Sequence, residues 1–169
     1  PINQQEGRLW TSVHEASLTA PLPVLGALMS SPKLSPAAAE LMQSRGLGPL
    51  AEKMGIELLE LSAERAVATM PVAGNTQPLG VLHGGAHVVL GESLGSFAAN
   101  VWAHPDKVAV GIEVNASHSR SATSGIVTAV CSAINLGKSL AVHEIVISDE
   151  AGRRLSTVRI TNYLKEKAN

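Results

Sequence analysis

The sequence feature that most constrains the fold is the apolar segment from Gly84 to Trp102, which contains one formally charged side chain, Glu92. Its length predicts a helix, and its apolar residues fall on nearly every helical face instead of on one stripe. We therefore expect a helix that is buried on all sides and lies at the centre of the fold. The wider apolar run, residues 81–103, also holds Asn100 and several glycines, so it is a poor membrane span.

Strand-like segments lie on both sides of this helix in the sequence. The turn 149–152, with the sequence DEAG, has the composition of a hairpin connection. Ser35 and Pro36 predict the start of a short helix that ends at Gly46, and a further short turn is expected at 49–54. An antiparallel sheet wrapped around one long helix is the economical α+β fold for this order of elements. The segments with strand-like patterns are 56–61, 66–70, 108–117, 125–136, 140–148 and 155–164.

Size and charge narrow the classes of function. The 169 residues fit one domain, which we place at 35–169 after an irregular N-terminal extension, 1–34. A net charge of -1 and 2% aromatic residues favour neither nucleic acid nor an anionic membrane as a partner. Because 45% of the residues are hydrophobic, we expect a homo-oligomer. The single cysteine, Cys131, makes no internal disulfide, which is typical of a reduced, cytoplasmic protein.

Glu92 is the first candidate for a functional residue. A carboxylate in an apolar segment costs free energy unless it is hydrogen-bonded or used in chemistry. It can serve as general base for water, or as a nucleophile through a mixed anhydride. Ser96 lies at i+4 on the same helical face, where its hydroxyl can orient the attacking water. The alternatives are a buried carboxylate paired with a distant arginine, and a serine that only fills space.

The residues His83, Gly84 and Gly85 stand at the predicted start of the helix. A helix N-terminus presents unpaired N–H groups, and glycines allow a ligand carbonyl to approach them. Such donors polarise a carbonyl and hold the oxyanion that forms when it is attacked. The alternative is that these glycines only permit close packing where a loop enters the helix.

The spacing between these two candidates predicts the architecture of the site. Eight helical steps place Gly84 and Glu92 about 12 Å apart along the axis, too far to act on one carbonyl together. If both act on one group, they come from different subunits whose helices run antiparallel across a two-fold axis. We therefore expect a dimer with two composite sites.

A metal site is a minor alternative. His83 and His87 are spaced i, i+4, but no HExxH pattern is present and Glu92 falls on another helical face. We expect His83 to hydrogen-bond near the carbonyl and His87 to be a satisfied core residue. No metal and no other cofactor are predicted.

Two stretches carry a resemblance to a known family: ATMPVAGNTQPLGVLHGGAHVVLGESLGS and VGIEVNASHSRSATSGIV. They resemble the hotdog-fold thioesterases of the phenylacetate and hydroxybenzoyl-CoA type. Within this type, two groups of bacterial enzymes are especially similar, and equally so. One is the 1,4-dihydroxy-2-naphthoyl-CoA hydrolases of menaquinone biosynthesis, and the other is the enzymes that clear misloaded aryl groups from siderophore carrier proteins. The likeness extends from about Ser35 to Tyr163. The resemblance implies a hotdog fold that forms a dimer or a dimer of dimers, which is a tetramer.

The resemblance also implies roles for individual residues. The family's catalytic acid falls on Glu92, its carbonyl-polarising amide on Gly84, and the flanking side chains on Gln77, His83 and Ser96. In the family, acid and amide come from different subunits. The coenzyme A contacts fall on Gly111, His118, Ser119, Arg120, Ser121, Asn135, Gly137, Lys138 and Ser139.

Charge is consistent with these coenzyme A contacts, because Arg120 and Lys138 are basic groups suited to phosphate. Ordinary solvated charge is the alternative. The loop 135–140 departs from the naphthoyl pattern, since Asn135 and Leu140 stand where histidines are expected.

The sequence thus predicts an acyl-CoA thioesterase for an aromatic acyl group, with dihydroxynaphthoyl-CoA as the first candidate. Hydroxybenzoyl-CoA, phenylacetyl-CoA and aryl carrier proteins are alternative substrates. A non-catalytic protein that binds acyl-CoA is a further alternative. A hotdog dehydratase is disfavoured, because those enzymes pair a histidine with an acid in another motif. The acyl group, the choice between dimer and tetramer, and the role of 1–34 stay open.

Overall fold

The computed structural model describes residues 31–167. The predicted extension 1–34 therefore lies outside the described residues except for its last four. The helices are α1 (Pro36–Arg45), α2 (Pro49–Lys53) and α3 (Gly84–Ala103). The strands are β1 (Lys33–Leu34), β2 (Glu57–Leu61), β3 (Arg65–Pro71), β4 (Lys107–His118), β5 (Ile126–Leu136), β6 (Leu140–Ser148) and β7 (Arg154–Glu166).

The strands form one seven-stranded sheet in the order β1-β2-β3-β5-β6-β7-β4. Every neighbouring pair is antiparallel except β1 and β2, which run parallel. The long helix α3 packs against the inner face of this sheet. This confirms the predicted α+β hotdog fold, and β1 is the one element of the described residues that the sequence did not predict.

Local signals fix the ends of the elements as expected. Ser35 Oγ accepts a hydrogen bond from the N–H of Ala38 at 3.3 Å and so caps α1. Gly46 ends that helix with a positive φ of 63°. In the β6–β7 turn, Gly152 has a φ of 75° and the Asp149 carboxylate accepts from the backbone of Ala151.

Two glycines in the middle of α3 set how closely the helix approaches β7. A Cβ on Gly91 would lie 2.8 Å from Val158, and one on Gly95 would lie 2.4 Å from Ile160. Both distances are shorter than carbon–carbon contacts allow. Because alternate residues of a strand face the same side, Asn162 continues this inner row of β7 along the helix.

The sequence predicted a helix buried on all sides, and this expectation is wrong for the single chain. Leu90, Leu94 and Ala98 are buried against the sheet, but Glu92 is exposed and Ser96 is only half-buried. The physical reason is that, within residues 31–167, the sheet covers one side of α3 and only the short helices α1 and α2 contact the other. Among residues 31–167, no helix is long and apolar enough to cross a membrane.

The two edges of the sheet differ in length and cover. One edge is the two-residue strand β1, whereas the other is the twelve-residue strand β4, which pairs only with β7 among the described strands. On β4 the apolar side chains of Val110 and Ile112 are exposed, Ile112 by 59%. Long exposed apolar edges are rare in monomers, because their free N–H and C=O groups recruit another strand.

Candidate functional site

The start of α3 is organised by His83. Its Nδ1 accepts the N–H of Gly85 at 2.8 Å, and its carbonyl accepts the N–H groups of Ala86 and His87. A neutral His83 therefore carries its proton on Nε2. No acceptor among the described residues takes the N–H of Gly84. The first turn of α3 thus presents one free backbone donor, at the glycine for which a carbonyl-polarising role is predicted.

The loop before α3 is held in place by Asn75, which the sequence analysis did not single out. Its Nδ2 donates to the carbonyls of Met54 and Pro71, each at 2.9 Å, and its own carbonyl accepts the N–H of His83. Gln77 follows two residues later, half-buried, with its backbone N–H bonded to Val81. In sequence Asn75 has only the signature of turn chemistry, which does not reveal these distant partners.

His118, predicted as a coenzyme A contact, lies beside Gly84. A Cβ on Gly84 would be 3.1 Å from His118 Nε2. His118 Nδ1 is 2.9 Å from Ser156 Oγ, and the Ser156 hydroxyl donates to the Ser117 carbonyl. The hydroxyl therefore accepts from Nδ1–H, an assignment made from this network. We call His83, Gly84 and His118 the amide half-site, and Gln77 stays a predicted member of it.

His87 lies beneath this half-site. Its ring is 5.3 Å from that of His118, between centroids, and the residue is buried, as predicted. It is not fully satisfied, because Nδ1 has no hydrogen-bond partner. Burial, and secondarily the neighbouring His118, lowers the pKa of His87 to about 4, so it is neutral near pH 7. Among residues 31–167, no group of three or more His, Cys, Asp or Glu side chains is able to hold a metal ion.

The second group of functional side chains lies in the middle of α3. Glu92 Oε1 is 3.9 Å from the position of a Cβ on Gly111, a residue of β4. Ser96 Oγ donates to Asn162 Oδ1 at 3.4 Å, and this oxygen is 3.8 Å from the same Gly111 position. We call Glu92, Ser96, Gly111 and Asn162 the carboxylate half-site. The sequence analysis did not single out Asn162.

The surroundings of Glu92 bear on the alternative that its carboxylate is buried in a structural ion pair. No lysine, arginine or histidine among the described residues forms an ion pair with Glu92. The carboxylate is also exposed in the single chain. Within residues 31–167, Glu92 is therefore not part of a buried ion pair, and its catalytic role stays a prediction.

Glu92 and Ser96 face a groove between α3 and the segment that contains α2. The groove has a volume of about 370 Å³ and walls that are mostly apolar, with one carboxylate and two hydroxyls. It is the right kind of surface for an apolar group that carries a polar reacting centre. Its lining residues are Leu47, Gly48, Pro49, Leu50, Ala51, Val89, Glu92, Ser93, Ser96 and Phe97.

Apart from Gly111, which lies in the carboxylate half-site, the predicted coenzyme A contacts fall at two separate places. The segment 118–121 lies at the start of α3 and is tied to β7, because Ser119 and Arg120 bond to backbone carbonyls at 154–155. Ser121 is exposed in the same segment.

The second group of contacts is the β5–β6 turn at the far end of α3. There the Gly137 carbonyl accepts from Trp102 Nε1 at 2.9 Å, and the Lys138 carbonyl accepts from Lys107. Asn135 bonds across the turn to the Leu140 carbonyl at 3.4 Å, and Ser139 is exposed.

One chain does not bring these parts together. Gly84 and Trp102, which touch the two groups of contacts, are about 27 Å apart along α3. The two half-sites are likewise about 12 Å apart along the same axis. If both half-sites act on one carbonyl group, they must therefore come from different chains.

Comparisons with known proteins identify the family to which the chain is similar. Residues 79–156 match the family model described as Thioesterase superfamily. The chain is 42% identical over 123 residues to the proofreading thioesterase EntH of Cronobacter turicensis, and 41% identical over 123 residues to the 1,4-dihydroxy-2-naphthoyl-CoA hydrolase of Escherichia coli. Each alignment covers 72% of this chain and 90% of the relative. The crystal structure of a Haemophilus influenzae thioesterase matches with a TM-score of 0.70 at 35% identity, over 76% of this chain and 90% of that one.

Proposed function

Because the chain belongs to the thioesterase superfamily, as a thioester hydrolase with the hotdog fold, we propose that it hydrolyses an aromatic acyl-CoA. The first candidate is 1,4-dihydroxy-2-naphthoyl-CoA, an intermediate of menaquinone biosynthesis. The observation that carries this proposal is the unpaired Glu92 carboxylate, which faces an apolar groove next to the Ser96 hydroxyl. Both candidate names among the relatives, hydrolase and proofreading thioesterase, describe thioester cleavage.

The proposed active unit is a dimer with α3 helices antiparallel across a two-fold axis. Such a pairing places the amide half-site of one subunit against the carboxylate half-site of the other, which removes the separation of about 12 Å. It also brings the segment 118–121 of one subunit towards the partner's β5–β6 turn. The bare edge of β4, with Ile112 exposed by 59%, supports a second chain at this side of the sheet. A tetramer made of two such dimers is a further proposal that rests on the family.

The proposed reaction begins with the thioester carbonyl against the N–H of Gly84, near Gln77 and His83. Glu92 of the partner subunit takes a proton from water as the water oxygen attacks the carbonyl carbon. The N–H of Gly84 holds the resulting oxyanion. The tetrahedral intermediate then expels the thiolate of coenzyme A, which recovers the proton from Glu92.

Direct attack by the carboxylate is the other route. It forms a mixed anhydride with release of the thiolate, and water then hydrolyses the anhydride. Both routes need the same two half-sites. Neither route requires a metal or a redox cofactor.

The nucleotide part of coenzyme A is proposed to contact the nine residues predicted from sequence. Arg120 and Lys138 are exposed cations, able to pair with phosphate. Gly111 differs from the other eight residues, because a Cβ built on it would lie 3.9 Å from Glu92 Oε1. It is therefore closer to the thioester end of the substrate than to the nucleotide.

The test is kcat/KM over a panel of thioesters, namely dihydroxynaphthoyl-CoA, benzoyl-CoA, hydroxyphenylacetyl-CoA, a long-chain acyl-CoA and a loaded aryl carrier protein. We expect the naphthoyl thioester to lead, and Glu92→Gln to lower kcat about 10²–10⁴-fold. The matched control is Glu57→Gln, which removes an exposed carboxylate on β2 and leaves the carboxylate half-site intact.

The ranking of substrates decides the pathway. A preference for the carrier protein or for benzoyl-CoA would keep the mechanism and replace menaquinone biosynthesis by proofreading or by aromatic degradation. The proposed function would be contradicted if the protein hydrolysed no thioester of the panel, or if Glu92→Gln kept full activity.

A further inference from the structure

We propose that Asn162 is a positioning residue that orients the hydroxyl of Ser96 beside the catalytic carboxylate, an inference that rests on the proposed function. Asn162 lies on the inner face of β7 and is 0% exposed. Its Oδ1 accepts the Ser96 hydroxyl at 3.4 Å, whereas its Nδ2 has no hydrogen-bond partner. An amide in the middle of an apolar sheet face therefore uses only part of its hydrogen-bonding capacity.

Such a residue needs a reason for its presence. A buried polar group without a partner destabilises the folded chain, and an apolar side chain of the same size would avoid that cost. The neighbouring inner positions of β7, Val158 and Ile160, are apolar and pack directly on Gly91 and Gly95. Asn162 is the next inner residue of β7, and it lies beside Ser96 of α3. It is the one amide side chain among the inner positions of β7.

The distances place the amide within the carboxylate half-site. Asn162 Oδ1 and Glu92 Oε1 lie 3.8 and 3.9 Å from the same point, the Cβ position of Gly111. Gly111 is also the register partner of Asn162 between β4 and β7, so the two residues face the same side of the sheet. A side chain at Gly111 would lie within contact distance of both the Glu92 and the Asn162 side-chain oxygens.

The chemistry follows from the direction of the hydrogen bond. When Ser96 gives its proton to Asn162, the lone pairs of its Oγ remain free to accept a hydrogen bond from water. Water held by Ser96 through one hydrogen and by Glu92 through the other keeps its own lone pair for the carbonyl. Without Asn162 the Ser96 hydroxyl rotates, and it competes with the water as a donor to Glu92.

The experiment compares Asn162→Leu in the wild-type chain and in Ser96→Ala, with the best thioester of the panel. We expect Asn162→Leu to lower kcat about tenfold or more with KM changed less than about threefold, as for a group that orients a reactant. In the Ser96→Ala background the same substitution should cause no further loss, because the group it positions is gone. His143→Leu is the matched control: it also removes a buried polar side chain with one unpartnered atom, but its bond goes to the Ala63 carbonyl.

A second variant keeps the test decisive if Asn162→Leu does not fold. Asn162→Ala removes the amide without the bulk of leucine, and it is measured with and without Ser96→Ala in the same way. Its loss of kcat should again disappear in the Ser96→Ala background. A residue with a purely structural role would lower kcat by the same factor in both backgrounds.

The outcomes separate this inference from the proposed function. An enzyme that depends on Glu92 but keeps its kcat in Asn162→Leu overturns the role of Asn162 alone. Equal losses from Asn162→Leu with and without Ser96 also overturn it, because the effect would not pass through the hydroxyl. A wild-type chain that hydrolyses no thioester, or that is indifferent to Glu92→Gln, ends both proposals.

Discussion

The two half-sites on α3 are built from different parts of the chain. The amide half-site relies on the backbone, since its central group is the N–H of Gly84 and its cap is the adjacent His83. The carboxylate half-site relies on side chains from α3, β4 and β7, which meet near Gly111. The first should therefore tolerate a change of side chain but not the loss of one N–H. The second should respond to single side-chain substitutions.

The largest expected effect comes from removing that N–H. Gly84→Pro deletes the donor, and the site accepts proline, because position N1 of a helix tolerates it and His83 already has φ -67° and ψ 134°. Loss of one oxyanion donor should lower kcat about 10²–10³-fold.

Gly84→Ala is the matched control for this proline, measured with the same thioester. It keeps the N–H and adds the same Cβ, 3.1 Å from His118 Nε2, so the ring must shift slightly in both variants. If alanine and proline lower kcat equally, crowding explains the loss, and the amide half-site does not act through its backbone.

The next largest effect is a gain of activity on mixing two inactive variants, one with a damaged amide half-site and one with a damaged carboxylate half-site. A mixture of Gly84→Pro and Glu92→Gln subunits, unfolded and refolded together, forms mixed dimers with one intact composite site. Random pairing should restore about a quarter of the wild-type activity, because half of the dimers are mixed and each has one working site. The assay is kcat per subunit against the ratio of the two variants. Activity that stays at the level of the separate variants would place both groups of one site in the same chain.

The smallest effect concerns stability and comes from His87, which lies next to His118 of the amide half-site. The pKa of His87 is lowered by burial to about 4, from an ordinary value of 6.5. Between these values the unfolded chain binds a proton that the folded chain does not, so the free energy of unfolding falls as pH drops from about 6.5 to about 4. The full loss is about 3 kcal/mol, at 1.36 kcal/mol for each unit of pKa difference.

Urea unfolding of wild type and His87→Leu at several pH values measures this contribution. The leucine variant should lose about 3 kcal/mol less than wild type between pH 6.5 and pH 4, and below pH 4 the two curves should run parallel. Curves that are parallel over the whole range would show that His87 is protonated in the folded chain.

The same difference between the half-sites explains how much of the molecule was predictable. The start of α3 is encoded locally, in three consecutive residues, and the separation of Gly84 from Glu92 follows from helix geometry alone. Asn162 is 66 residues from Ser96, and in sequence it is one polar residue in an alternating strand. Nothing in that pattern distinguishes it from an ordinary strand position.

One prediction was wrong and one strand was not predicted, each for a physical reason. The exposure of Glu92 contradicts the predicted burial of α3, because apolar composition does not show how many sides of a helix the other elements cover. Strand β1 has only two residues, too few for a periodic pattern, and is defined by its pairing with Leu61 and Glu60 of β2. Both are properties of contact between distant segments.

The glycines that let β7 approach α3 have a consequence for how the protein folds. Gly91 and Gly95 each weaken an isolated helix by about 1 kcal/mol relative to alanine, so α3 has little helical stability of its own. The helix is held by the strands that press against it, Val158 and Ile160 first. Both half-sites include residues of this one helix. We therefore expect neither half-site to form before the sheet closes around the helix, in one cooperative step.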